Sequence, residues 1–234
     1  MKIGLIAFGI LLMGAVTTLA LSNYINLFTW RYKITVEVDT PEGIRSGSAV
    51  REVSVLRQPQ ISPHVHTSVN VKGEAVVIDL GAKGKLFALI DWDSYYEVFK
   101  AFPLEGGGET TVEGLKYYSS LEPGKKAILP RVEWPRIVAF EDLNDPLTVK
   151  LVLGEKLNIE TQQPIIVNNF EEIFGQDVNL KNVIIEITDE PITFGVEGIL
   201  PWLVKIKGGY LHGEATSRGA PIGLYGGNFE RGKQ

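Results

Sequence analysis

The chain has 234 residues, a formal net charge of −5, 44% hydrophobic and 22% charged residues, and no cysteine. That length excludes a large multidomain enzyme, and the composition excludes wholesale disorder. The acidic balance lacks the basic excess of a dedicated nucleic-acid binder, and the missing cysteines remove disulfides, thiolate metal sites and cysteine nucleophiles.

No Asp, Glu, Lys or Arg occurs from Ile3 to Trp30, and the most apolar part is Ile3–Leu21. As a helix this part spans roughly 28 Å, close to the hydrocarbon thickness of a bilayer. The segment is expected to be a transmembrane anchor over residues 1–30, with Tyr24, Phe28 and Trp30 at the interface. The alternative is a signal peptide cleaved before Asn23, with Ala20 and Ser22 as the small residues and a secreted or periplasmic product. Lys2 favours a cytoplasmic N-terminus and a C-terminal domain outside the cytoplasm.

Tyr32–Val38 alternates, with Ile34, Val36 and Val38 on one face, as a half-buried strand does. Asp39–Gly43 reads as a turn and Ala49–Leu56 as a second strand. Val65, Val69 and Val71 line a third strand, Lys72-Gly73 reads as a hairpin turn, and Glu74–Leu80 as a fourth strand. Gly81–Gly84 turns again before a fifth strand, Lys85–Asp91. A helix is expected from Asp93 or Ser94 to Phe102, with Trp92, Tyr96, Val98 and Phe99 in the core. A second is expected over Thr110–Leu121, where Thr110 and Glu113 have capping-box spacing. Further strands are expected at Lys126–Leu129, Arg136–Phe140 and Asn182–Ile187, a short helix at Phe170–Phe174, and a helix break at Pro201. From Gly208 to Gln234, eight residues are glycine, which predicts a flexible tail. The fold class is therefore α+β and strand-rich, an antiparallel meander or small open barrel with a few short helices over residues 31–207, preceded by the transmembrane helix.

Four phrases carry a resemblance: Thr40-Pro41-Glu42-Gly43 with Arg45, Gly47 and Ser48; Phe140 with Asp142-Leu143-Asn144-Asp145-Pro146; Ile187-Thr188-Asp189-Glu190-Pro191-Ile192-Thr193; and Leu200-Pro201-Trp202. In these the chain resembles a group of uncharacterised bacterial proteins with no assigned function. The resemblance implies one unit over most of residues 30–205 and no activity or catalytic residue.

His64 and His66 lie two apart on the third strand, so both point to one face at a spacing found in metal sites on sheets. They are the candidate metal ligands, with Glu74 or Asp79 able to complete a set and His212 far off in the tail. Ser46 or Ser48 with one of these histidines and Asp79 would make a hydrolase site, although G-x-S-x-G is absent. Asp142, Asn144 and Asp145 read as an Asx turn rather than a Ca²⁺ loop, since EF-hand spacing is missing. Asp91 and Asp93 read as helix caps. Trp134 and Trp202, each beside a proline, read as packing plugs. No catalytic residue and no cofactor is assigned. The leading expectation is a membrane-anchored, non-catalytic envelope accessory that binds a protein. A membrane-tethered hydrolase using the His64/His66 face and a secreted small-ligand-binding protein are the alternatives.

Overall fold

A computed structural model describes residues 26–57, 67–157, 161, 163–206, 209–211 and 223–233. The anchor segment Ile3–Leu21 lies outside the described residues, as do His64, His66 and His212. Among the described residues no helix is long and apolar enough to cross a membrane.

β1 (Asn26–Thr40) shows the alternation expected for Tyr32–Val38 and extends it back through Phe28. Phe28, Trp30, Tyr32, Ile34, Val36 and Val38 all point inward and are buried, so Phe28 and Trp30, expected at a membrane interface, belong instead to the core of the folded domain, which begins by residue 26 rather than 31. Thr40 pairs with Gly43 across a two-residue loop, Pro41-Glu42, and Gly43 takes φ +114 there. β2 (Gly43–Arg57) runs back antiparallel along the full strand, and β3 (Thr67–Glu74) follows beside it. β10 (Asn179–Ile187) flanks β1 on the other side, and β6 (Lys126–Ile128) and β11 (Glu230–Arg231) close the edges. The first sheet thus has six strands in the order β11-β3-β2-β1-β10-β6.

The meander expected for the first five strands stops after three. β3 runs straight through Lys72-Gly73, which is not a turn. Gly73 is buried at φ +135, and a β-carbon there would stand 3.0 Å from Arg51 Cγ. The glycine makes room for a side chain beneath the sheet. β4 (Val76–Asp79) then enters a second sheet with β5 (Lys85–Ala88), β7 (Ile137–Phe140), β8 (Val149–Leu157) and β9 (Pro164–Asn168). Its order is β4-β5-β7-β8-β9, every pair antiparallel. The chain is accordingly two antiparallel sheets with a few short helices, an α+β arrangement.

The helices are α1 (Glu97–Ala101), preceded by a 3-10 turn, α2 (Val112–Ser119), α3 (Phe170–Phe174) and α4 (Leu203–Ile206). Thr111, one residue later than expected, caps α2 by accepting from the Gly114 amide at 3.1 Å. The main core lies between the sheets and joins the inward face of β1 to Ile78, Leu86, Ile137 and Val152, with Phe99, Leu115 and Tyr118 from the helices. A second core lies on the other face of the second sheet, where Phe87, Val138 and Leu151 meet Val196, Trp202, Leu211, Leu224 and Phe229. The expected flexible tail is therefore wrong for residues 223–233: Leu224 and Phe229 are buried and β11 pairs with β3. Glycines that looked like loosening serve a 3-10 turn at Gly226–Asn228 which delivers Phe229 to the core.

Candidate functional site: a cleft over a buried ion pair

The chain leaves β5 through Leu89 and Ile90, both buried, and reaches Asp91-Trp92-Asp93. Neither aspartate caps the following helical turn, contrary to expectation. Ser94 makes the local turn instead, its Oγ accepting from the Asp91 amide at 2.9 Å. Asp91 is taken up by Arg136, whose Nε donates to Oδ1 at 2.9 Å and whose Nη2 also reaches it. Gly154 makes this possible, because a β-carbon there would press on Arg136 Cγ at 2.7 Å. Asn228 comes from the far C-terminus and donates to the Ile90 carbonyl at 2.8 Å and to Asp91 at 3.3 Å. Trp92, expected in the core, is 76% exposed.

Behind this lies a buried network. Arg51 is fully buried and donates from Nη1 to Glu97 at 3.0 and 3.2 Å, and from Nη2 to the carbonyls of Ala88 and Leu89 at 3.3 and 3.2 Å. Its Nε donates to the Glu74 carbonyl at 3.2 Å. Tyr32 donates to Glu97 Oε2 at 2.7 Å, an oxygen that Arg51 also reaches. Burial pushes the Glu97 carboxyl up, against the opposing pull of Arg51 and Tyr32. Burial alone would lower Arg51, but Glu97 and Tyr32 outweigh it and hold the guanidinium raised.

In front lies a cleft of about 830 Å³. Its floor is Asp91, Arg136, Ser94, Glu97 and Asn228. Its rim carries Trp92, Val132 and Ile166, of which the last two are 89% and 85% exposed. Arg131 lies 5.3 Å from the Trp134 ring, and Lys100 donates to Glu133 at 2.9 Å. Asp93 sits at the mouth, its carboxyl raised by partial burial and by the charges of Asp91 and Glu133. The wall opposite is the β8–β9 hairpin, through Leu153, Gly154, Glu155 and Ile166.

His64 and His66, the candidate metal ligands named from the sequence, lie outside the described residues. Their proposed helpers are engaged elsewhere. Asp79 bonds Lys85 and accepts from the Gly81 amide at 2.8 Å, and Glu74 accepts from the amides of Gly195 and, at 2.7 Å, Val196. Ser46 and Ser48 flank Gly47 on the outer half of β2, where they are exposed. Among the described residues no group of three or more His, Asp or Glu is placed to hold a metal ion. Asp142, Asn144 and Asp145 form Asx turns, with the Asn144 and Leu147 amides donating to Asp142 and Asp145 at 2.9 Å each. Trp202 is a buried plug whose Nε1 donates to the Leu143 carbonyl at 3.0 Å. Trp134 has the corresponding bond to Leu129 at 3.1 Å, yet it also lines the cleft.

No family model, no curated protein and no solved structure matches this chain. The cleft's chemistry has to be read from its own residues. Its floor charges neutralise one another, and its exposed lining combines the large apolar side chains Trp92, Val132 and Ile166 with the charged Asp93, Arg131 and Glu155, which suits recognition of a surface. The one sequence signal for it was a tryptophan between two aspartates directly after a strand.

Proposed function

We propose that the chain is a membrane-anchored domain outside the cytoplasm that binds another protein without catalysing a reaction. The observation that carries the binding reading is the cleft rim: Trp92, Val132 and Ile166 stand exposed around a floor whose ions are already paired. Large apolar side chains gathered at one concavity mark interaction sites, whereas scattered ones mean little. Paired floor ions are poor nucleophiles and bases, because proton transfer would first have to break Asp91–Arg136 or Glu97–Arg51. The anchor reading rests on the uncharged, apolar run Ile3–Leu21.

Two experiments test it. Fractionation with N-terminal sequencing should place an intact chain in the membrane; a soluble product starting at Asn23 would refute the anchor. A photocrosslinker at Val132, irradiated in intact source cells, should form a covalent adduct with a protein that is lost in Trp92→Ala. Absence of any protein adduct would refute the binding role.

A further inference from the structure

β9 is the outer strand of the second sheet. It pairs with β8 so that Val167 faces Gly154 and Ile165 faces Lys156. The Asn169 amide donates to the Val152 carbonyl at 2.7 Å, which sets the alternation. The main-chain groups of Val167 and Ile165 turn toward β8, and those of Ile166 and Asn168 turn outward. Among the described residues no strand takes up that outward side. Such edges are normally blunted by charge or by a covering element. β9 has no charged residue, Pro164 blunts only its first position, and Ile165 and Ile166 are 38% and 85% exposed. Val167 belongs to the second core, so Ile166 lies on the opposite face of the strand, at the cleft.

An open edge beside a cleft calls for an extended chain: main-chain groups are met by main chain, and alternate side chains enter the cleft. Charge decides which chain. Five carboxylates line the cleft, Asp91, Asp93, Glu97, Glu133 and Glu155, against the cations Lys100, Arg131 and Arg136. Arg51 offsets Glu97 from behind, Arg136 pairs with Asp91 and Lys100 with Glu133, which leaves Asp93 and Glu155 against the single cation Arg131 and the cleft with a surplus of negative charge. Two copies edge to edge would bring two negative clefts together, whereas a basic side chain would find a complementary wall. We propose that the free edge of β9 accepts an extended segment of a partner protein as an added strand, with a Lys or Arg of that segment entering the cleft toward Asp93 and Glu155. This rests on the protein-binding reading and gives it a partner chemistry.

The probe is a blocked pentapeptide, acetyl-Thr-Val-Lys-Val-Thr-amide, titrated against the whole protein by tryptophan fluorescence. Two controls are the same peptide with Glu for Lys and the peptide N-methylated at alternate residues. Saturable binding is expected, weakened roughly tenfold or more in each control. Ile166→Pro should abolish it with an unchanged melting temperature, because proline is tolerated on an edge strand. If that variant fails to fold, the N-methylated peptide on the unaltered protein decides. Equal binding of all three peptides, or no saturation, would overturn the proposal. A dimer seen by sedimentation without peptide and dissolved by Ile166→Pro would also overturn it, giving the edge to a second copy. A Val132 adduct in cells together with no peptide preference would remove strand addition and leave the binding role standing.

Discussion

Arg51 carries a full charge where water does not reach. Its guanidinium is satisfied by Glu97 and by the carbonyls of Glu74, Ala88 and Leu89, so its removal would strand several acceptors at once. Arg51→Met should destabilise the fold by about 3–5 kcal/mol, because Glu97 is left buried and unpaired. Arg51→Met with Glu97→Leu should recover part of that loss. Urea unfolding checks both, and a double variant no better than the single would show that the pair is not the unit. Trp92 is the opposite case: it is exposed, so Trp92→Ala should change stability by no more than about 0.5 kcal/mol. Nothing in the sequence marks Arg51 as buried. It sits on the inward side of β2 by simple alternation with Ala49, Val53 and Val55, where an arginine looks like a register error. Only the partner on α1, forty-six residues away, resolves it.

β2 and β4 approach so closely that a β-carbon on Gly47 would overlap the Val77 carbonyl oxygen. Gly47→Ala should therefore cost about 1–3 kcal/mol in thermal or urea unfolding, as overpacking does. β11 brings a titration. Burial raises the Glu230 carboxyl from 4.5 to about 7, helped by Glu197 and Glu74 and opposed by Lys233. A carboxyl raised on folding supports the fold while protonated, so that contribution is present below pH 4.5 and is lost as pH rises through about 7. Glu230→Gln should flatten the fall in melting temperature over this window; an unchanged slope would contradict it. Elements with clean period were legible before the structure: the alternation of β1, the helical turn at Phe170–Phe174, and the strand over Asn182–Ile187. β8 and β9 went unread, because Gly154 interrupts one and Pro164 opens the other. The cleft wall those strands form was hidden with them.

The molecule is layered as first sheet, main core, second sheet, second core and a C-terminal cover. The cover is structural: Phe229 packs against Phe87, Phe140 and Trp202. Phe229→Ala should cost about 3–5 kcal/mol in urea unfolding, and a loss below 1 kcal/mol would mean that the tail is dispensable. Glycine content argued for looseness in the tail because composition cannot show which apolar residues find a core. The same C-terminal segment brings Asn228 to Asp91, so cover and cleft floor depend on each other. On the proposed binding role, the cleft and the β9 edge together form the working surface. Hydrogen exchange followed by mass spectrometry, comparing the purified protein with the protein in its native membranes, tests this most directly. Added protection confined to residues 164–168 and 91–96 is the predicted result; identical exchange in both samples, or protection only on the far edge at β6, would contradict it.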